Sequence, residues 1–221
     1  MARARDLSFQ SGLFESAEPS FDGSFAGVRR IELDERCWID HAEGWVSGAD
    51  ALFKAVLDAR DWSQRERWMY QRQVREPRLT APWSLAKGEP LEPELLQRMR
   101  IALGTRYGVT FDAVGFNLYR DGRDSVAWHR DHILREISEP VIALVSLGER
   151  RKFLMRPRGG RIARTFLLGR GDLLVTGGRT NLDWEHHVPK VGRAGPRISL
   201  AFRYGMDLRA YAHKTKVEPD R

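Results

Sequence analysis

Eight short runs of β-branched and aromatic residues follow one another in the second half of the chain, and they constrain its fold more than any other feature. The runs are VGFNLYR, VAWHRD, VIALVSL, RKFLMRP, RTFLLG, GDLLVTG, WEHHVPKV and RISLAFRYG. Turn sequences such as RDGRD, LGER, RPRGGR and GRGD separate them, and no helical pattern intervenes. Successive strands without crossover helices favour a sandwich, barrel or jelly roll over a parallel α/β sheet.

Two amphipathic helices are predicted before these strands. In residues 47–60 the apolar side chains recur at helical spacing, and Ser47 is in a position to cap the helix. Residues 89–108 predict a second helix that Gly108 ends. The inward-facing residues are Leu52, Phe53, Val56 and Leu57 in the first helix and Leu95, Leu96, Met99 and Leu103 in the second. The predicted fold class is therefore α+β.

The 221 residues predict a single domain. We expect an irregular N-terminal arm over residues 1–30, helical support and a lid over 31–110, a β-rich core over 111–205 and a polar tail over 206–221. The basic start MARARDLSFQSG has no apolar segment behind it, so no secretory signal is expected. Cys37 is the only cysteine and has no partner for an internal disulfide, which predicts a cytoplasmic location. No apolar run is long enough to span a membrane, and a monomer is expected.

The net charge of +7, with a pI near 9.9, favours an anionic partner such as nucleic acid. A basic but otherwise ordinary soluble protein is the alternative. Residues 150–164, RRKFLMRPRGGRIAR, concentrate the charge around a turn and contain no acid. The cations are Arg150, Arg151, Lys152, Arg156, Arg158, Arg161 and Arg164. We interpret the segment as a phosphate-binding hairpin, and a solvated hairpin is the alternative.

His129 and Asp131 are two residues apart in a predicted strand, so their side chains point to the same side. A third ligand is expected from DWEHHVPK, residues 183–190. Two histidines and one carboxylate leave coordination positions open, as in non-haem Fe(II) oxygenases. Polar surface residues, or a structural histidine pair beside Trp184, are the alternatives.

Arg197 and Arg203 lie in the last predicted strand, and their even separation places them on one face. If the iron requires a 2-oxo acid, the distal carboxylate of that acid needs a buried cation, and arginine offers a two-pronged match. Two solvated charges on a strand are the alternative.

Between about Pro77 and Tyr204 the chain resembles the AlkB family of Fe(II)- and 2-oxoglutarate-dependent nucleic-acid dealkylases. The matching segments are PRLTAPW, FNLYRDGRDSVAWHRD, VSLGERRKFLMR, GDLLVTGG, WEHHVPK and PRISLAFR, in the family's order. The resemblance implies a double-stranded β-helix (jelly-roll) core. It implies the iron ligands His129, Asp131 and His186. It also implies that Asn117, Tyr119, Arg197 and Arg203 hold 2-oxoglutarate.

The function implied by the resemblance is oxidative dealkylation of damaged bases, a DNA-repair reaction that uses O₂ and releases succinate, CO₂ and an aldehyde. DNA is the expected substrate, with an RNA demethylase as an alternative. A hydroxylase of a protein or small molecule would keep the same ligands but would not need the basic hairpin. A non-catalytic nucleic-acid-binding domain would need neither the ligands nor the arginines.

Residues 67–83, RWMYQRQVREPRLTAPW, resemble the family's nucleotide-recognition lid, in which an aromatic side chain stacks on the target base. Tyr70 or Trp83 is expected in that role, and the alternative for Trp83 is packing of the lid against the core. Phosphate contacts are expected from Arg156, Arg158 and Arg161.

Ile133 departs from the family pattern, because many members have an acid two residues after the metal aspartate. An acid there favours a cationic lesion. Isoleucine therefore predicts a preference for neutral or bulkier adducts such as etheno bases, and core packing is the alternative.

Overall fold

Two facing antiparallel sheets form the centre of this computed structural model, which describes residues 18–69 and 72–205. The strands are β1 (Ser20–Phe21), β2 (Arg29–Asp34), β3 (Cys37–Ala42), β4 (Val46–Ser47), β5 (Glu66–Met69), β6 (Arg72–Arg75), β7 (Leu79–Ser84), β8 (Ala113–Tyr119), β9 (Val126–His129), β10 (Ile142–Gly148), β11 (Arg151–Pro157), β12 (Arg164–Leu168), β13 (Asp172–Gly178), β14 (Trp184–Val188) and β15 (Arg197–Arg203). The helices are α1 (Ala49–Asp58), α2 (Leu95–Tyr107) and α3 (Thr180–Asp183), with a 3₁₀ turn at Leu85–Lys87.

The larger sheet has the strand order β2-β3-β13-β10-β15-β8-β7, and the smaller one has the order β12-β11-β14-β9. The two-stranded pairs β1–β4 and β5–β6 lie outside these sheets. The eight strands predicted from the sequence correspond to β8–β15. The predicted α+β jelly roll is therefore confirmed, although the short helix α3 lies between β13 and β14, where no helix was predicted.

The hairpin β2–β3 was missed in the sequence, where residues 31–110 were expected to be helical support and a lid. Strand β3 pairs with β13 and extends the larger sheet. Its pattern is obscured because Asp40 is only 2% exposed. Arg30 binds both carboxylate oxygens of Asp40, and the Tyr107 hydroxyl donates to one of them. A buried acid with these partners breaks the apolar alternation that identifies a strand.

The helices cover the outer face of the larger sheet. Leu52, Phe53 and Val56 of α1 share one hydrophobic cluster with Leu96 and Met99 of α2. Each such side chain, fully buried, contributes about 1.5–3 kcal/mol. The predicted inward face of α2 is confirmed, since its three buried residues belong to that set.

The two helix ends depend on left-handed backbone, and one differs from the prediction. Gly108 ends α2 at φ 67°, as predicted. Helix α1 begins instead at Gly48, whose φ of 62° favours glycine, and no side chain caps it. The prediction of Ser47 as the cap was therefore wrong, because Ser47 belongs to β4.

The inner face of the larger sheet meets the smaller sheet. In β15 the residues Ile198, Leu200 and Phe202 belong to the helix-side cluster, whereas Ala201 belongs to the cluster between the sheets. Alternation along a strand therefore turns Arg197 and Arg203 toward the space between the sheets. Polar and charged side chains in that space form the candidate site.

The described part of the N-terminal arm lies against the core. Phe21 and Phe25 pack on the ring of Trp45, at centroid distances of 4.9 and 5.7 Å. Phe9, Phe14 and the predicted tail over 206–221 lie outside the described residues. Among the described helices, none has the length and apolar character needed to cross a membrane.

Candidate metal centre and cosubstrate pocket

Three side chains that ligate metals meet where β9 and β14 pair. His129 ends β9, and its Cα partner in the ladder is His186 of β14. Asp131 follows two residues after His129. One ligand atom from each residue lies within 4.8 Å of the others. A single cation can therefore be bound by two imidazoles and one carboxylate, which leaves positions open for other ligands.

The two adjacent histidines of β14 face opposite sides of the smaller sheet. His186 faces the space between the sheets, where its ring stacks on Phe153 at a centroid distance of 5.0 Å. His187 faces outward and lies 5.1 Å from the ring of Trp128, and its Nδ1 is 2.5 Å from the Val126 carbonyl oxygen. The predicted alternation is confirmed, so of the two only His186 is in a position to bind the cation.

The site holds the protonation state that a metal requires. Burial raises the pKa of Asp131, but Arg203 and the nearby histidines outweigh burial and lower this pKa to about 2. Burial, with a smaller contribution from His129, lowers the pKa of His186 to about 3, and burial also lowers the pKa of His129. At neutral pH the site therefore presents one carboxylate and two neutral imidazoles.

A hydrogen bond orients the imidazole of His129. Its Nδ1 lies 2.8 Å from the Ala127 carbonyl oxygen, an acceptor, so this nitrogen carries the proton and donates it. The lone pair of Nε2 is then the one available to a cation. This pairing of a metal-binding nitrogen with a hydrogen-bonded opposite nitrogen is common among metal-binding histidines.

Arg197 faces the space between the sheets and is only 1% exposed. Its Nε donates to the Leu168 carbonyl at 3.2 Å, and its Nη2 donates to Ser146 Oγ at 2.7 Å. Nη1 is buried without a partner. Within the described residues Arg197 has no ion pair at 4 Å or less. A buried guanidinium with a free donor and no acid beside it fits a carboxylate ligand.

Asn117 and Tyr119 line the same space from β8. Tyr119 is paired with Arg197 in the ladder, and the Arg197 guanidinium lies 5.2 Å from the centre of its ring. Arg78 Nε donates to Asn117 Oδ1 at 3.0 Å, which leaves the amide NH₂ of Asn117 available to donate to an anion. Arg78, which also pairs with Glu76 at 3.1 Å, was not singled out in the sequence.

Arg203 binds the aspartate of the metal trio. Its Nη2 donates to Asp131 Oδ1 at 2.5 Å, and its Nε is buried without a partner. Gly115 leaves the room for this guanidinium, because a Cβ there would lie 3.2 Å from Nη1. The guanidinium therefore orients a candidate ligand, in addition to any contact it makes with a cosubstrate.

Trp83 does not face the cleft, and its predicted stacking on a base is wrong. The side chain is 3% exposed within the helix-side cluster, and its Nε1 donates to the Glu89 carbonyl at 3.0 Å. Trp83 instead packs the segment that carries it against the core, which was the alternative interpretation of this residue. Tyr70, the other aromatic residue expected in that role, lies outside the described residues.

The basic residues of 150–164 differ in their exposure to solvent. Arg158, Arg161 and Arg164 are exposed around the turn between β11 and β12. Arg156 is half-buried: it pairs with Glu185 at 3.0 Å and lies 4.1 Å from the ring centre of Trp128.

Arg151 belongs to the segment interpreted as a phosphate-binding hairpin, but it is buried and does not present its charge to a phosphate. It is 2% exposed and donates to the carbonyl oxygens of Asp121, Asp124 and Pro189. Its burial was predictable from the sequence, because Arg151 lies two residues before Phe153 and four before Met155, and the three side chains share the inner face of β11.

Ile133 is half-buried and packs against the cluster between the sheets. It lies two residues after Asp131 in the chain. Packing of its side chain is therefore compatible with a role beside the metal trio.

Comparisons with known proteins agree with this geometry. Human Alpha-ketoglutarate-dependent dioxygenase alkB homolog 3 is 32% identical over 178 residues, which cover 72% of this chain and 62% of that protein. Mouse DNA oxidative demethylase ALKBH2 is 36% identical over 118 residues, 49% of each chain. The chain thus spans less than two thirds of the length of these relatives.

The fold agrees as well. The solved structure of OsALKBH1 superposes with a TM-score of 0.56 at 13% identity, covering 79% of this chain and 99% of that one. Residues 55–203 match the family model of the 2OG-Fe(II) oxygenase superfamily, a match that includes both arginines and the whole metal trio. The chain, which resembles AlkB homologues, therefore belongs to the 2OG-Fe(II) oxygenase superfamily, a membership that implies Fe(II) and 2-oxoglutarate.

Proposed function

We propose that this protein removes alkyl adducts from nucleic-acid bases by oxidation that depends on Fe(II), 2-oxoglutarate and O₂. The observation that carries the proposal is that a metal-binding trio and a buried, partly unpartnered arginine contact the same side-chain cluster between the sheets. His186 of the trio stacks on Phe153 of that cluster, and Arg197 lies over the ring of Tyr119. A carboxylate held by Arg197 directs the other end of a short dicarboxylate toward the trio. Similarity to proteins named as an alkB homolog and a DNA oxidative demethylase supports the substrate class.

The residues of this chain divide the work. His129, Asp131 and His186 would hold the iron, and Arg203 keeps the Asp131 carboxylate ionised and oriented. Arg197, Tyr119 and the amide of Asn117 would hold 2-oxoglutarate. Iron with 2-oxoglutarate and O₂ supplies the oxidation of the adduct carbon, and succinate, CO₂ and an aldehyde leave. The protein excludes water from the space between the sheets and positions the adduct.

The nucleic-acid side of the proposal rests on charge. The exposed arginines around the β11–β12 turn offer cations to phosphates. A base within a stack cannot reach a buried centre, so the substrate base must be flipped out or single-stranded. A cytoplasmic location and a monomeric state stay predictions.

Coupled turnover tests the proposed function. Succinate release is measured with Fe(II) and 2-oxoglutarate, with an alkylated oligonucleotide or with the same oligonucleotide unmodified. We expect the alkylated strand to stimulate succinate release. Equal release with both strands would point instead to a hydroxylase of a protein or small molecule, and no release at all would remove the enzymatic assignment.

The exposed hairpin arginines are expected to set the salt dependence of nucleic-acid binding. The double variant Arg158→Gln/Arg161→Gln should lower the slope of log Kd against log salt by about 1.4 for a single strand, because each lost phosphate contact removes about 0.7. The control Arg29→Gln/Arg98→Gln removes the same charge from other exposed positions. Equal slopes for the two double variants would place the phosphate contacts elsewhere.

Ile133 is expected to bias the enzyme away from cationic lesions. We compare rates on one oligonucleotide carrying 3-methylcytosine or ethenoadenine. Ile133→Asp should shift the ratio toward the methylated base by about tenfold, which corresponds to about 1.4 kcal/mol of charge stabilisation. Ile133→Asn, similar in size but uncharged, is the control. A wild-type preference for 3-methylcytosine, or a ratio that Ile133→Asp leaves unchanged, would contradict this role.

A further inference from the structure

Asp131 lies beyond the strand that was expected to position it. Strand β9 ends at His129, which faces His186 of β14. If the antiparallel ladder continued, Asp131 would face Trp184, the first residue of β14. There the chain turns into α3, so no neighbouring strand is available to the backbone N–H and C=O of Asp131. These two groups need other partners, because an unpaired backbone group away from water is destabilising.

The side chain of Asn181 provides both partners. Its Oδ1 accepts from the Asp131 N–H at 2.9 Å, and its Nδ2 donates to the Asp131 carbonyl at 3.0 Å. The amide thus reproduces the two hydrogen bonds that a paired strand residue would make. Only one orientation of the amide satisfies both contacts. Asn181 is 7% exposed, so few water molecules compete for these bonds.

The helix that carries Asn181 is itself fixed to the larger sheet. The Thr180 hydroxyl lies 2.7 Å from the Gly177 carbonyl oxygen and accepts from the Trp38 N–H at 3.0 Å. At the other end of α3, Asp183 forms a two-pronged pair with Arg179. The amide is therefore presented from a rigid position rather than from a loose turn.

We propose that Asn181 is a positioning residue that holds the backbone of Asp131 in register with His186. His186 lies five residues after Asn181 in the chain. We call the two hydrogen bonds between the Asn181 amide and the Asp131 backbone the clamp. The clamp complements Arg203, which holds the carboxylate of Asp131. Backbone and side chain of this ligand are thus fixed from two directions. The inference rests on the metal site of the proposed function and adds a residue to it that never touches the metal.

A second contact between the same segments supplies a matched control. Arg130 lies between the two ligands and its Nη1 donates to the Leu182 carbonyl at 3.0 Å. The substitution Arg130→Ala removes this hydrogen bond between α3 and the residues that follow β9, and it leaves both contacts of Asn181 with Asp131 in place. If any contact between these segments suffices, Arg130→Ala and the Asn181 variants will behave alike.

The test is metal binding by the protein stripped of metal. Co(II) is titrated into wild type, Asn181→Ala, Asn181→Leu and Arg130→Ala, and the Kd is measured by calorimetry alongside the visible Co(II) absorption spectrum. We expect both Asn181 variants to raise the Kd about 10–100-fold, the usual effect of losing a residue that orients a ligand, and to change the spectrum. Arg130→Ala should stay within about threefold of wild type. Asn181→Leu keeps the side-chain volume, so it covers the case in which Asn181→Ala fails to fold.

Three outcomes are distinguishable. Weaker Co(II) binding confined to the Asn181 variants, with melting temperatures of the metal-free proteins close to that of Arg130→Ala, supports the clamp. Equal Co(II) affinity in wild type and both Asn181 variants overturns the clamp but leaves the metal site intact. No Co(II) binding by wild type overturns the metal site and the clamp together.

Discussion

Alanine in place of His129, Asp131 or His186 is expected to abolish turnover while the fold survives. Each substitution removes one of three ligands whose atoms lie within 4.8 Å of one another, and two ligands cannot define the open site that the reaction needs. The two histidine substitutions remove imidazoles that burial keeps neutral, so the free energy of unfolding should change little. Asp131→Ala also removes the partner of Arg203, so it should lower the free energy of unfolding without preventing folding. Succinate release and the melting temperature of the metal-free variants are the measurements.

His187→Ala is the matched control, because His187 is adjacent in sequence but faces the outer side of the sheet against Trp128. It should retain most of the activity. If His187→Ala is the inactive variant and His186→Ala retains turnover, the assignment of the ligand is contradicted.

The second large effect is expected for Arg197, on the apparent KM for 2-oxoglutarate. Arg197→Lys keeps the charge but loses the planar fork that now binds the Leu168 carbonyl and Ser146. Hydrogen bonds to charged groups contribute about 1.5–3 kcal/mol, so the apparent KM for 2-oxoglutarate should rise by about 10–100-fold. The kcat at saturating 2-oxoglutarate should fall less.

Arg203→Lys should also raise this KM, but with a different signature. Because Arg203 pairs with Asp131, its replacement should weaken metal binding as well. Arg156→Lys is the control, since that arginine pairs with Glu185 on the outer face. An unchanged KM in both Arg197→Lys and Arg203→Lys would place the cosubstrate elsewhere.

The strands were predictable because they depend on local periodicity, whereas the choice of His186 as the third metal ligand came from the resemblance to the AlkB family, with which the alternation is consistent. Alternation alone turns His186 and His187 to opposite faces, and it pairs Asn117 with Tyr119 and Arg197 with Arg203. A sandwich, barrel or jelly roll without crossover helices was equally visible, since turn sequences separate each apolar run, and the resemblance favoured the jelly roll. These features need no knowledge of distant contacts.

The features that were missed depend on contacts between distant segments. Asn181 is separated from Asp131 by 50 residues, and nothing local distinguishes it from a helix-capping asparagine. Arg78 was treated as part of a lid, although it binds Asn117 of the core. Trp83 was one of two residues expected to stack on a base, because residues 67–83 resemble the family's nucleotide-recognition lid. The burial of its ring is decided by α2 and the larger sheet, which a local pattern does not show.

The most direct test of the central claim is the mass of the nucleic acid after reaction. Oligonucleotides carrying N-alkyl or etheno adducts are incubated with wild type or Asp131→Ala, in the presence of Fe(II), 2-oxoglutarate and air. We expect wild type to convert at least one adducted strand to the mass of the unmodified strand, only when 2-oxoglutarate is present, and Asp131→Ala to leave every strand unchanged. Wild-type conversion of 2-oxoglutarate to succinate with no change in the mass of any strand would contradict the claim that nucleic acid is the substrate.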